Sequence, residues 1–212
     1  WDRTAFESDK YGRNFLGTPP QGRADYAFFQ HILKSLDEKT GRCAILFPHG
    51  VLFRNEEKDM REKLVKSDLV ECVIGLGPNL FYNSPMEACI IICRTKKAVN
   101  REGQVLFINA INEVTRKNAQ SYLEDKHVEK IAKAYEKYES DDDIAKKVTI
   151  KDIAQNDYSL SIPLYIQTSS EEQEDERTVQ ECYSDWREAA EMASRYFDSI
   201  NEMIGGDDNG NS

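Results

Sequence analysis

Residues 43–47 read Cys-Ala-Ile-Leu-Phe and are followed by Pro48. A short apolar run that ends at a proline is typical of a strand buried on both faces. Leu69 to Leu76 and Ala88 to Thr95 have the same character, and Gln104 to Asn109 predicts a further strand. Strands this apolar belong inside a layered sheet, so this part of the chain decides the fold class.

Helical patterns alternate with these strands. The predicted helices run from Asp25 to Gly41, from a cap at Asn55 to about Lys66, from Asp125 to Tyr138 and over Ile150–Ala154. Their predicted inward residues are Tyr26, Phe29, Ile32 or Leu33, Leu36, Met60, Leu64, Val128, Ile131 or Ala132, and Tyr135. This alternation indicates an α/β layer with a largely parallel sheet. The connection from Leu76 to Ala88 has no helix-length pattern, so the two strands it joins should be antiparallel.

Residues 1–23 lack a period and are predicted to be a loop, and Tyr158–Ile166 is predicted to be extended. With 212 residues, 40% hydrophobic and 31% charged, the composition excludes a membrane protein, a collagen and a fully disordered chain. Residues 1–167 carry 25 basic and 25 acidic side chains, whereas residues 168–212 carry 3 and 13. The net charge of −10 therefore belongs to the tail, and it does not indicate a basic face for DNA.

The five cysteines lack metal-ligand spacing, and reduced thiols in a cytoplasmic protein are expected. The three histidines are scattered, so neither a catalytic constellation nor a metal site is predicted. Gly75-Leu-Gly77 lacks the third glycine and the helix of a dinucleotide turn. In Thr18-Pro-Pro-Gln21 the threonine lacks the side-chain carbonyl, and the glutamine lacks the aromatic ring, that would hold an exocyclic amine. Because the chain starts Trp1-Asp2-Arg3, it is interpreted as a piece of a longer protein.

The tail divides into three predicted segments, which are an acidic linker over 168–177, a helix over 178–205 and a disordered end over 206–212. The helix carries apolar residues at alternating steps of four and three. They are Val179, Tyr183, Trp186, Ala190, Ala193, Phe197, Ile200 and Ile204. This helix can fold back on its own domain or bind a partner helix, and the sequence leaves both open.

Asn79-Leu-Phe-Tyr-Asn-Ser-Pro85 lies between two predicted strands, where α/β proteins bind ligands. Two adjacent aromatics in a polar loop indicate a stacking site or packing under the loop. Together with Gly17–Pro20, 23–33, 41–53, 68–74, 105–110 and 157–166, this segment resembles the methylase subunit of type I restriction-modification systems. These enzymes are N6-adenine DNA methyltransferases.

The resemblance implies that residues 1–167 are the carboxyl-terminal part of a Rossmann-like, S-adenosylmethionine-dependent methyltransferase sheet. The donor-binding and Asn-Pro-Pro-aromatic motifs would lie upstream, so no catalytic residue is expected here and the chain alone should be inactive. Phe81 and Asn83 would contact the flipped adenine, with Ser84 and Pro85 in the same loop. Phe28 would lie against the cofactor, unless it packs in the core. Pro48 and His49 end the preceding strand near the active-site edge.

The resemblance also implies DNA, a specificity subunit and a restriction subunit as partners, with the helix of the tail docking on the specificity subunit. Two alternatives remain at this stage. The first is a catalytically silent methyltransferase-like scaffold that acts as an interaction module, and the second is a stand-alone α/β nucleotide-binding domain.

Overall fold

The computed structural model of this chain describes residues 1–82, 84–118, 120–141, 144–166, 183–184, 186–188 and 190–197. The strands are β1 (Arg42–Pro48), β2 (Val70–Leu76), β3 (Ala88–Arg94), β4 (Gln104–Ala110), β5 (Thr115–Lys117), β6 (Gln120–Tyr122) and β7 (Ala145–Thr149). Five of them form one sheet in the order β1-β3-β2-β4-β7, and β5 pairs with β6 in a separate hairpin.

The helices are α1 (Arg3–Glu7), α2 (Asp25–Lys34), α3 (Lys58–Lys66), α4 (Asp125–Lys137) and α5 (Ile150–Gln155). Short 3-10 helices cover His49–Leu52, Asn55–Glu57, Val99–Arg101 and Ile162–Leu164. Side chains of α2, α3 and α5 pack with one face of the sheet in the larger core. Side chains of α4 pack with the other face. The fold is a three-layer α/β arrangement, and the predicted fold class is confirmed. The predicted largely parallel sheet is wrong: in the described sheet β2 and β4 pair in parallel, and the other three pairings are antiparallel.

Strand directions place three strand ends at one edge of the sheet. Strand β3 is antiparallel to both β1 and β2, and β4 is parallel to β2. Strands β1, β2 and β4 therefore run the same way, and their carboxyl ends share one edge. The predicted antiparallel pairing across the connection from Leu76 to Ala88 is confirmed.

Aromatic rings fill the larger core. Phe29 of α2 lies 5.1 Å from Phe47 of β1, and Phe107 of β4 lies 4.3 Å from Tyr165, between ring centroids. Tyr26 and Leu33 are buried beside them, as their spacing predicts. These contacts join residues far apart in the chain, so the core holds α2 and the end of the larger unit on the same sheet face.

Burial of the strands differs from the prediction in one case. Strand β2 is buried throughout, but β1 is not: its exposed and covered positions alternate, and Leu46 is half exposed. Within the described residues β1 pairs only with β3 and so is an edge strand. One of its faces is covered by α2, while Ala44 and Leu46 on the other face meet no helix layer.

Several local predictions are wrong. Residues 1–23 include α1 and a buried Leu16, and Tyr158–Ile166 contains a 3-10 turn in place of an extended run. Asn55 begins a 3-10 turn, and Glu57 occupies the cap position of α3 without a side-chain bond. Strands β5, β6 and β7 were not predicted, because they are short and mostly polar.

The predicted stripe of α4 is confirmed at Ile131 and Tyr135, which pack against the sheet, and is wrong at Val128, which is exposed. His127 and Tyr138 are also buried. Polar atoms of both buried residues have partners: His127 Nδ1 accepts a hydrogen bond from the Glu124 amide at 3.0 Å, and the Tyr138 hydroxyl donates to the Glu71 carbonyl at 3.0 Å. With those bonds made, the two amphipathic rings can replace aliphatic residues on the inner face.

Buried Glu71 joins β2, β3 and α4. The Tyr135 hydroxyl donates to its carboxylate at 2.6 Å, and Arg94 and Arg101 each approach it at 3.3 Å. Arg101 also stacks over the Tyr138 ring, 4.2 Å from its centroid. A carboxylate with 1% side-chain exposure is tolerated because it has all these partners.

Cysteines of the sheet are free thiols. Cys72, Cys89 and Cys93 are buried, and burial raises the pKa of Cys89 to about 12. Cys43 lies opposite Cys93 in the β1–β3 register, and their hydrogen bond lowers the pKa of Cys43. Burial inside the apolar strands is thus found for three cysteines, whereas Cys43 is half-buried and Cys182 lies outside the described residues.

The contacts divide the chain into two units, Trp1–Thr168 and Ser169–Ser212. In the second unit the described residues are helical and exposed. No helix in the described ranges is long and apolar enough to cross a bilayer.

The first prediction concerns Glu71. Replacing it (Glu71→Ala) leaves two arginines and a tyrosine hydroxyl without their shared acceptor, so we expect a loss of about 3 kcal/mol in the free energy of unfolding. Urea denaturation of this chain measures it. Glu62→Ala is the matched control, because Glu62 pairs with Lys66 on the exposed side of α3. Its expected cost is below about 0.5 kcal/mol. Equal losses in the two variants would contradict the prediction.

The second prediction concerns pH. Burial raises the pKa of Glu71, but the Tyr135 hydroxyl and the two arginines lower it further, leaving it below its ordinary value of 4.5. A depressed pKa in the folded state stabilises the fold above the unfolded value, and this stabilisation is lost as the pH falls through the folded value. The difference in unfolding free energy between wild type and Glu71→Ala should therefore be constant near neutral pH and shrink as the pH falls below the ordinary value of 4.5. A difference that stays constant below that value would count against it.

Candidate functional site

The loop from Gly77 to Glu87 lies at the sheet edge where β1, β2 and β4 end. It leaves β2 close to the β4–β5 connection: a Cβ on Gly77 would lie 2.5 Å from the Ile111 carbonyl oxygen. Only glycine fits there without moving the backbone. The Asn79 carbonyl accepts a hydrogen bond from the Ser121 amide at 2.9 Å. The β5–β6 hairpin, which was not predicted, thus holds the first part of the loop.

A tight turn presents Phe81. The Ser84 amide donates to the Phe81 carbonyl at 3.2 Å, and the Met86 amide donates to Ser84 Oγ at 3.3 Å. Phe81 keeps 38% of its surface exposed, so part of its ring is accessible. Asn83, the second predicted base-contacting residue, lies outside the described residues.

Phe81 forms one wall of an open cleft of about 240 Å³. The lining residues come from the end of β1, the start of β3 and the loop between β2 and β3: Leu46, Phe47, Pro48, Ala88, Phe81, Ser84, Met86 and Glu87. The walls are mainly apolar, and Glu87 is the one charged residue among them. Such a cleft suits a flat ring with a polar edge. Tyr82 points elsewhere: it is 85% exposed and does not line the cleft.

His49 and Glu87 meet beside this cleft. The His49 amide donates to the Glu87 carbonyl at 3.2 Å, and His49 Nδ1 lies 3.2 Å from a Glu87 carboxylate oxygen. Sequence reasoning placed His49 at the active-site edge but missed Glu87, Met86 and Leu46. These residues come together only because β1 and β3 pair, and the two strands are distant in the sequence.

Phe28 lies on the outer side of α2 and is 63% exposed. Core packing, the alternative weighed for it, is therefore wrong. Its neighbour Phe29 takes the core position. Phe28 does not line the Phe81 cleft, so the structure does not bring these two predicted site residues into one cavity.

Of the predicted partner-binding residues, Tyr183, Trp186, Ala190, Ala193 and Phe197 are helical and exposed. Tyr183 and Trp186 pack ring on ring, with centroids 5.8 Å apart. Val179, Ile200 and Ile204 lie outside the described residues. The exposed aromatic side chains are consistent with a binding surface, but the complete seam stays a prediction.

A second cleft, of about 340 Å³, lies along α4 and is lined by Lys126, Lys130, Lys133 and Lys137. Each lysine lies 2.6–3.6 Å from a glutamate, so the basic stripe is largely neutralised. This arrangement does not favour a phosphate site. Within the described ranges no group of three His, Cys, Asp or Glu residues could hold a metal ion.

Comparison with known proteins decides the family. Residues 1–175 match the family model described as N-6 DNA Methylase. The chain belongs to the N-6 DNA methylase family. The predicted resemblance is thereby confirmed.

Two curated members of the N-6 DNA methylase family show how much of a methylase this chain represents. The type I restriction enzyme MjaVIII methylase subunit of Methanocaldococcus jannaschii is 33% identical over 96% of this chain and 36% of its own length. The HindI methylase subunit of Haemophilus influenzae is 33% identical over 81% of this chain and 40% of its own. The chain thus spans between a third and two fifths of these relatives.

Solved structures agree on the fold. The type I restriction-modification methyltransferase subunit from Streptococcus thermophilus has 36% identity and a TM-score of 0.72, over 79% of this chain and 36% of that protein. The EcoKI M protein has a TM-score of 0.53 at 17% identity, a likeness in fold alone. The sheet described above is therefore a methyltransferase sheet.

Proposed function

We propose that this chain is the carboxyl-terminal portion of the methylase subunit of a type I restriction-modification enzyme. The complete subunit would transfer a methyl group from S-adenosylmethionine to N6 of adenine in DNA. One observation carries the proposal: an exposed phenylalanine walls a base-sized cleft at the carboxyl edge of the sheet, in a chain of the N-6 DNA methylase family.

Base flipping explains why such a cleft is needed. A methyltransferase cannot reach N6 inside the duplex, so the adenine must leave the stack and be held by stacking and polar contacts. The Phe81 ring can take the stacking role, since it is open to solvent at the end of a fixed turn. We assign Asn83, in the same loop, to the polar edge of the base. No catalytic residue is assigned within this chain.

S-adenosylmethionine, when bound, supplies the methyl group from its sulfonium centre. The exposed ring of Phe28 fits a place against the adenine moiety of this cofactor, because an uncovered aromatic face on α2 has no packing role. The remaining donor contacts and the amine-holding motif are proposed to lie in other parts of the subunit. On its own this chain should methylate nothing.

Partners follow from the two units. We propose that 1–167 completes the catalytic domain, that 168–177 links it to the helix over 178–205, and that this helix docks on the specificity subunit. The surface of Tyr183, Trp186 and Phe197 supports a protein contact, and the acidic charge of the tail disfavours DNA there. A restriction subunit completes the proposed complex, which would act in the cytoplasm.

The experiment is a methyl-transfer assay with the complete subunit, its specificity subunit and duplex DNA containing the recognition site. Wild type should be active and this chain alone inactive. Phe81→Ala should lose about 1–3 kcal/mol of base stacking, measured as weaker binding of DNA with 2-aminopurine at the target position.

Tyr82→Ala is the matched control, since it removes the neighbouring exposed aromatic residue outside the cleft. The proposal predicts near wild-type flipping and methylation for it. Unchanged methylation by Phe81→Ala would sink the assignment of the cleft. Inactivity of the complete wild-type subunit would favour a catalytically silent scaffold that acts through its tail.

A further inference from the structure

We infer that His49 is a positioning residue: through Glu87 it fixes the end of the loop that carries Phe81, and with it the shape of the cleft. The inference rests on the proposed function, because it concerns the same base-binding cleft. It assigns to the two residues a role in presenting the target base and no contact with that base.

The position of the pair in the sheet comes first. Strand β1 ends at Pro48, which pairs with Ala88 at the start of β3. His49 and Glu87 extend this ladder by one step, through the bond from the His49 amide to the Glu87 carbonyl. Glu87 is therefore the point at which the loop rejoins the sheet.

The side chains add a second link between the same two residues. His49 Nδ1 lies 3.2 Å from a carboxylate oxygen that can only accept a hydrogen bond, so the contact is favourable with the proton on Nδ1. The imidazole is mostly buried and packs edge to face with Phe53, with ring centroids 5.9 Å apart. The other ring nitrogen, Nε2, is buried and has no hydrogen-bond partner within the described part of the chain. Glu87 thus supplies the only polar contact of this ring there, and Phe53 holds its orientation.

The link acts on Phe81 because the loop between them is short and internally bonded. Ser84 is tied to both Phe81 and Met86, and Met86 is followed by Glu87. Phe81, Ser84, Met86 and Glu87 all line the cleft. The other end of the loop is held through Asn79 by the β5–β6 hairpin. Releasing the Glu87 side chain would leave the turn that presents Phe81 held at both ends by backbone hydrogen bonds alone.

Charge gives the pair a second effect. Glu87 is half exposed and is the one charged residue of the cleft lining. A free carboxylate there would repel the phosphates that flank an extruded base. Pairing with His49 draws this carboxylate toward the end of β1.

The test uses the complete subunit with its specificity subunit and DNA carrying 2-aminopurine at the target position. His49→Leu and Glu87→Ala should each raise KM for DNA roughly three- to tenfold and lower the flipped fraction. The effect should be larger in His49→Leu, because only this variant leaves the Glu87 carboxylate free beside the phosphates. His49→Asn should return KM to within about twofold of wild type, because the asparagine amide can donate from nearly the position of Nδ1.

The double variant His49→Leu/Glu87→Ala should be no worse than either single change, as expected for two residues acting through one bond. Glu102→Ala, at an exposed carboxylate before β4, is the matched control and should keep the wild-type KM. A purely structural role for His49 gives a different result. His49→Leu would then lower Tm, Glu87→Ala would leave KM unchanged, and His49→Asn would not rescue.

Phe81→Ala distinguishes a failure of the inference about His49 from a failure of the proposed function. If it weakens flipping while His49→Leu and Glu87→Ala do not, the inference fails and the proposed function stands. If Phe81→Ala also leaves flipping and methylation unchanged, the cleft is not the base site and both fail.

Discussion

The placement of β3 between β1 and β2 is the constraint on which the site depends. Because β3 is antiparallel to both, the flanking strands point the same way, and the end of β1 lies next to the loop that joins β2 to β3. Residues from both strands and the loop thereby meet in one cleft. With β1 paired directly to β2, the chain would bring no β1 residue to Phe81.

The polar contacts of the molecule follow the same arrangement. On one side of the sheet the Glu71 carboxylate contacts two arginines and accepts a hydrogen bond from a tyrosine, and these contacts join α4 to β2 and β3. At the carboxyl edge His49 and Glu87 join β1 to β3. A buried carboxylate is costly without partners, so Glu71 lies where several elements converge, whereas Glu87 is half exposed. The first cluster stabilises the scaffold, whereas the second lies where the ligand would bind.

Sequence reasoning found the elements whose pattern is local. Apolar runs identified β1 to β4, and helical spacing identified α2 to α5, because burial on a given face leaves a period in the chain. Strand β7 was not predicted, since only Ala145 and Val148 of its five residues are buried. Phe81 could be singled out because two aromatic residues in a polar loop are conspicuous. Glu87 and Leu46 could not, since their importance arises from pairing between strands distant in sequence.

The strand order also has a consequence for how the sheet assembles. Strands β2 and β3 are joined by one short loop and pair directly, so their contact closes little chain and costs the least entropy. Strand β1 precedes both, and its pairing within the described residues is with β3, across the whole of α3 and β2. This pairing closes a longer stretch of chain, so the cleft beside the end of β1 depends on a contact of higher sequence separation than the hairpin.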